Sequence, residues 1–236
     1  MKRASWFGTL LGCQFLVGCF GSGVDGNGDR VEEQRTVTAF SRLHNAGDLD
    51  VQLVQGDTPQ VTVSIDSNLQ RLVKTRVSGD TLYLDLLEDV DQMVSGPHVI
   101  ITSPTLSAAD LAGSGRMLLK LDEPTTPLDL SLSGSGRLRF EGHAAAVNAS
   151  LDGAGEISLA GEASDVSLSL SGSGAIHGDD LSARVGDLAL SGSGDVSANV
   201  SDSVRVSLTG SGRIELFGGA SVDGYEKTGS GQIVRR

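Results

Sequence analysis

The chain has 236 residues, a formal net charge of −12 and 32 glycines, with hydrophobic residues at 39% and aromatics at only 4%. That length suits one or two domains, the apolar fraction is too high for wholesale disorder, and abundant glycine without a three-residue period excludes collagen. The acidic balance argues against a nucleic-acid partner, because phosphate binding needs a basic patch.

The amino terminus reads as an export signal. Lys2 and Arg3 give a positive start, and Trp6 to Gly18 carries no charge. The run is short of the roughly 20 apolar residues that span a bilayer. It closes on Leu16-Val17-Gly18-Cys19, which matches a bacterial lipobox. The small Gly18 lets a signal peptidase reach the bond, and the Cys19 thiol takes the diacylglycerol. The expectation is a signal over 1–18 and attachment to a membrane through the Cys19 lipid. Phe20 rather than aspartate follows, which favours the outer membrane of a Gram-negative envelope. Cys13 leaves with the signal, so the mature chain has no disulfide and no cysteine metal site. Loss of Lys2 and Arg3 takes the net charge from −12 to −14.

Residues 19–34 are expected to be the lipidated cysteine and a flexible tether, glycine-rich through Gly21 to Arg30. The tether holds Gly21-x-Gly23-x-x-Gly26, but a dinucleotide fingerprint needs a strand before it and a helix after it. The folded domain is expected over 35–236, with 35–106 irregular and 107–236 regular. In the irregular part, Val51 and Leu53 lead into a Gln55-Gly56-Asp57 turn, and Val61, Val63 and Ile65 alternate as a second strand. Ser78-Gly79-Asp80 is a turn before Leu82, Leu84 and Leu86, and Val99 to Ile101 runs into Pro104. No helical stretch exceeds Asn68 to Lys74. This half forms either broader coils of the same architecture as the second half or a first lobe.

The second half is organised by a repeat. A Gly-small-Gly triplet recurs at Gly113–Gly115, Gly134–Gly136, Gly153–Gly155, Gly172–Gly174, Gly192–Gly194, Gly210–Gly212 and Gly229–Gly231. Apolar residues alternate before each triplet, as Leu128, Leu130 and Leu132 or Val166, Leu168 and Leu170 do. Another aliphatic follows each, as Leu138, Ile157, Ile176, Val196, Ile214 and Ile233. A unit of about 19 residues with two or three short strands cannot bury its own apolar row, but stacked copies can. The predicted fold is therefore all-β: a right-handed parallel β-helix, or β-solenoid, of Gly-Ser-Gly repeats with nine to eleven coils. Right-handedness follows the general preference of parallel crossovers. A propeller would need longer blades with recurrent aromatics, and a meander would need a tight turn after every strand.

Gln55-Gly56-Asp57, Ser78-Gly79-Asp80-Thr81-Leu82, Val99-x-Ile101-Thr102-x-Pro104-x-Leu106 and the train of Leu-Ser-Gly-Ser-Gly units together resemble the head GIN domain family, described as putative auto-transporter adhesins. The resemblance covers about residues 36–234. It implies an exported, often lipid-anchored β-helical domain, and it supplies no catalytic residues. Tyr225 and Lys227 depart from the pattern by replacing aliphatics before Gly229, as a terminal coil facing water would require.

No residue pattern points to a cofactor or an enzyme. His44, His98, His143 and His177 share no metal-ligand spacing; His143 and His177 fall near one position of different repeats and read as exposed turn residues. A calcium ladder would need an acid after every triplet, and that column reads Arg116, Arg137, Glu156, Ala175, Asp195, Arg213 and Gln232. Asp179-Asp180 and Glu88-Asp89 are acidic loop pairs. A polysaccharide-active enzyme would need paired carboxylates, with Asp179, Asp180 and Asp187, or Asp152 and Glu156, as candidates. Arg116, Arg137 and Arg213 form a row that pairs with acids such as Glu141 and Glu215 or meets an anionic glycan. The function expected is a lipid-anchored, adhesin-like display module whose partner is a glycan or a surface protein. The alternatives are an envelope solenoid that self-associates end to end and the polysaccharide enzyme.

Overall fold

The computed structural model describes residues 24–87, 98–125 and 127–236. Leu16, Val17, Gly18, Cys19 and the Glu88-Asp89 pair lie outside the described residues. Among the described residues, seventeen strands follow one another with a single 3-10 turn at Gln70–Leu72. In the first part they are β1 (Arg30–Thr36), β2 (Arg42–Ala46), β3 (Asp50–Gln55), β4 (Gln60–Asp66), β5 (Val73–Ser78), β6 (Thr81–Leu86), β7 (His98–Ser103), β8 (Ala108–Gly113) and β9 (Arg116–Thr125). The repeats supply β10 (Leu128–Gly134), β11 (Arg137–Gly153), β12 (Glu156–Gly172), β13 (Ala175–Gly192), β14 (Asp195–Gly210), β15 (Arg213–Phe217), β16 (Ser221–Thr228) and β17 (Gln232–Arg235).

The repeats stack in parallel and in register, so the chain is a β-solenoid of about seven turns. Leu130 sits beside Ala149, Ala149 beside Leu168, Leu168 beside Leu188 and Leu188 beside Val206. These columns are buried, as are their partners across the core, Leu138, Ile157, Ile176, Val196 and Ile214. Each fully buried Leu or Ile contributes about 1.5–3 kcal/mol, and only stacking makes that burial available to so short a repeat. One apolar core runs through every rung, from Phe40 to Ala220.

The triplet glycines stack into one corner, and the two glycines of a triplet are needed for different reasons. Gly134 has φ +120°, and a Cβ there would lie 2.6 Å from the Gly113 carbonyl oxygen of the rung before it. Gly136 has no such φ, yet its Cβ would meet the Gly115 oxygen at 2.7 Å. A second corner, at Gly142 and Gly161 (φ +149° and +122°), bends β11 and β12 between two faces of the solenoid. It repeats at the triplet spacing, but Leu121 and Leu181 replace glycine in the neighbouring rungs, so it leaves no recurring motif in the sequence.

The irregular half departs from the expected series of coils. β2 and β3 form a rung under β8 and β9. β6 and β7, later in the chain, form the rung beneath β2 and β3. Beyond them β5 pairs antiparallel with β6, β4 antiparallel with β7, and β1 antiparallel with β4. These three strands cap the solenoid instead of adding coils, which is why about seven turns replace the nine to eleven expected. The cap is tied by buried polar contacts. Gln70 donates from Nε2 to the Val31 and Val63 carbonyls at 3.0 Å each, and Arg35 donates to the Gln70 carbonyl at 2.9 Å and the Val73 carbonyl at 2.5 Å.

The segment expected to be tether is fixed to the cap from residue 25 onward. Asn68 donates to the Asp25 carbonyl at 2.8 Å, the Asn27 side chain donates to Ser67 at 2.9 Å, and the Gly28 amide donates to the buried Asp66 carboxylate at 2.9 Å. Arg30 to Arg35 then belong to β1. A glycine-rich composition carried no sign of these partners, which lie about forty positions away.

Candidate binding face

The strand before each triplet presents its outward side chains as one flat sheet face. Register places Ser131, Ser150, Ser169, Ala189 and Ser207 in one column. Ser133, Asp152, Ser171, Ser191 and Thr209 form the next column. Neighbouring rungs are about 4.8 Å apart, so these two columns form a lattice of small hydroxyl and carboxylate groups, with Asp187 and the longer Arg205 in the column beside them. Serine serves here because it packs edge to edge along a parallel sheet while leaving an exposed donor and acceptor.

Toward the capped end the same face changes character. Ser131 gives way to Asp110, then His44, then Tyr83, and finally Arg76 on β5. His44 Nδ1 lies 2.5 Å from Asp110 Oδ2. The His44 and Tyr83 rings are 5.4 Å apart at 57°, and the Arg76 guanidinium covers Tyr83 at 4.5 Å. Arg42, Thr81 and Asp129 complete the rim of a 260 Å³ hollow beside this ladder. His44 is thus half-buried within a strand, while His143 and His177 are exposed but lie within β11 and β13, not in turns. Only the inverted rung order brings Asp110 next to His44.

The face after each triplet is a network of ion pairs. The residues following the triplets align as Arg116, Arg137, Glu156, Ala175, Asp195, Arg213 and Gln232. Arg116 pairs with Asp50, Arg137 with Glu156, and Arg213 with Glu215. The arginine row is therefore compensated by acids, as one of its two readings expected. Lys120 and Arg139 converge on Glu141 at 3.2 and 2.6 Å. Their hydrogen bonds, that of Arg139 first, hold the Glu141 carboxyl below its ordinary value. On the third side, Asp202 is likewise lowered by its Ser201 and Arg184 hydrogen bonds.

The residues weighed for chemistry are not brought together. Asp152 lies on the hydroxyl face and Glu156 on the ion-paired face, on either side of the glycine corner. Asp187 is on the hydroxyl face next to Arg205, while Asp179 and Asp180 sit at a register shift of β13, where Asp179 accepts from Ser197 at 2.6 Å. His143 and His177 do not share a position: His143 pairs with Glu162 on the third side, and His177 with Ser158 on the ion-paired face. Among the described residues no group of three or more His, Cys, Asp or Glu is placed to hold a metal ion. None of the described helices is long and apolar enough to cross a membrane.

The third side holds a shallow groove of about 750 Å³, lined by small residues such as Ala144, Ala163 and Ala183 with Glu162 and Arg184 at its margins. Among the described residues no Phe, Tyr or Trp lines it, and its one ring is that of His143.

Known proteins share this architecture. A family model described as "Putative auto-transporter adhesin, head GIN domain" matches residues 39–220. Among solved structures, a putative adhesin from Bacteroides fragilis superposes with a TM-score of 0.83 at 22% identity, covering 91% of this chain and 100% of that one. A putative lipid binding protein from Parabacteroides distasonis superposes at 0.75 and 23% identity, covering 90% and 99%. A putative adhesin from the same species gives 0.72 at 24%, covering 91% and 100%. At these identities the likeness is one of fold. No curated protein matches the sequence.

Proposed function

The chain belongs to the head GIN domain family, and on that footing we propose that it is a lipid-anchored envelope protein whose solenoid is a non-catalytic, adhesin-like binding module. The observation that carries the reading is the flat face of Ser131, Ser150, Ser169 and Ser207 with its flanking Ser133, Asp152, Ser171 and Ser191. Its hydroxyls repeat at the rung spacing, with Ala189 interrupting the first column, so an extended partner with its own repeat, a glycan or a surface protein, meets similar contacts at successive rungs. Weak contacts of that kind sum by multivalency. The lipobox at Leu16-Val17-Gly18-Cys19 supports export and attachment through the Cys19 lipid, with the outer membrane as the destination.

The folded chain from residue 24 onward, applied to an array of glycans, cell-wall fragments and matrix proteins, tests the reading. Saturable binding competed by free ligand is the expected result. Release of reducing or unsaturated sugar ends, abolished by one Asp→Asn change, would replace the module with an enzyme.

A further inference from the structure

The solenoid pairs its cations; two cations of the cap stand apart from any carboxylate among the described residues. Every lysine and arginine from Arg116 to Arg213 lies within ion-pair distance of a carboxylate. On the cap, Arg71 and Lys74 are exposed, and among the described residues neither has an ion-pair partner. The chain from Ser67 to Gly79 holds no acid. Arg71 and Lys74 line an open depression of about 440 Å³ together with Ser67 and Asn68. The one carboxylate in it, Glu33, is held by Arg35 at 2.9 Å. Asp85 stands across the hairpin from Lys74, and Asp25 and Asp29 lie on the incoming chain.

Ser67 and Asn68 are also the residues that clamp that incoming chain, through Asn27 and the Asp25 carbonyl. The point where the anchor segment enters the domain is therefore the edge of the cationic depression. From Cys19 to Val24 five residues reach at most about 18 Å, whatever their conformation. A lipid on Cys19 holds this end of the solenoid near the bilayer, and the hydroxyl face then runs away from it.

We propose that the cap, through Arg71 and Lys74, is a membrane-facing surface that docks on anionic lipid headgroups and stands the solenoid on its capped end. The inference rests on the lipid-anchor reading for its geometry, but the surface can be tested without the lipid. An unpaired cation beside an anionic membrane contributes about fivefold in affinity, and the effect is screened by salt.

The test uses the chain from residue 19 with Cys19→Ser, which cannot be acylated, sedimented with phosphatidylcholine vesicles or with vesicles that also contain phosphatidylglycerol. Binding is expected only to the anionic vesicles and is reversed by sodium chloride. Arg71→Gln with Lys74→Gln should weaken it about 25-fold, while Arg116→Gln with Arg137→Gln, equally exposed but paired, should leave it within about twofold. Unchanged thermal unfolding of both double variants confirms that folding is not the cause. Equal binding to both vesicle types, or equal losses in the two double variants, overturns the proposal. Competition by inorganic phosphate beyond that of sodium chloride at equal ionic strength also overturns it, in favour of a discrete phosphate pocket. Intact mass of the wild-type chain from membranes reports Cys19 acylation separately: an unmodified Cys19 defeats the anchor reading and leaves the vesicle result to decide the surface.

Discussion

Alanine in place of Gly134 should damage the solenoid far more than alanine at a positive-φ glycine outside the stack. Gly134 (φ +120°) faces the Gly113 oxygen, with 2.6 Å available to a new Cβ. The obstacle is backbone, held by the amides of Ser135 and Gly136, so relief requires two rungs to separate. Forcing a side chain into that backbone region costs about 1–3 kcal/mol, and overpacking costs a further 1–3 kcal/mol. The sum is about 4 kcal/mol, a large share of the 5–15 kcal/mol of a typical domain. Gly79 (φ +63°) has nothing within 4 Å of the place a Cβ would take, so Gly79→Ala should cost only the local strain, about 1–2 kcal/mol. Gly136→Ala isolates the other component, with a contact of 2.7 Å and no unusual φ, and should fall between them at about 2 kcal/mol. Thermal and urea unfolding of the three variants provides the assay. A domain of this size loses about 2–4 °C per kcal/mol, so Gly134→Ala should melt about 12 °C below wild type and Gly79→Ala about 4 °C below. The urea slope should be compared as well, since stacked repeats can lose two-state behaviour. Equal, small shifts for Gly134→Ala and Gly79→Ala would refute the claim that rung contact dictates the triplet.

Three further outcomes follow from the register, the core and the ion-paired face. Deleting Asp152–Leu170 removes one rung and joins Leu151 to Ser171, which already pairs with Asp152; the product should fold with similar circular dichroism, whereas deleting Asp152–Ala160 should unfold it. Asn45 lies fully buried between Leu84 and Leu111, its Oδ1 without a partner among the described residues and its Nδ2 bonded to the Leu49 carbonyl at 3.1 Å. That carbonyl also accepts from the Arg116 amide, so Asn45→Leu should be within about 1 kcal/mol of wild type or better, while Asn45→Asp should cost about 3 kcal/mol or more by burying a charge; urea unfolding reads both. Glu141 carries a lowered pKa relative to 4.5, so its contribution is complete above 4.5 and fades as pH falls through the lower folded value. Glu141→Gln should therefore lower the urea midpoint slightly at pH 7 and match wild type once the Glu141 carboxyl is protonated in strong acid.

The regular half of this fold is legible because its physics is local. Period-two burial, the triplet and the spacing each recur in every unit, and the column from Arg116 to Gln232 aligns residue for residue as the spacing implies. The irregular half is legible only as strands. The segments around Val51, Val61, Leu82 and Val99 are all strands, but alternation does not encode whether a strand pairs parallel or antiparallel. Nor does it reveal that β6 and β7 slide beneath β2 and β3. The His44–Asp110 contact follows from that inversion and spans 66 positions, so no spacing rule reaches it. The tether's fixation to Asn68 and Asp66 was hidden for the same reason. The serines of the hydroxyl face alternate with the leucines in the sequence, but alternation alone does not mark them as one continuous face; the stacking register does.

The most direct test of the central claim compares the two faces in one binding experiment. On the partner found by the array, Ser150→Arg with Ser169→Arg plants two long cations in the middle of the hydroxyl face without touching the core. Arg137→Gln with Arg139→Gln alters the ion-paired face instead. The account predicts that the first pair abolishes saturable binding and the second leaves it unchanged. Binding that survives the serine substitutions and is lost with the arginines would contradict it.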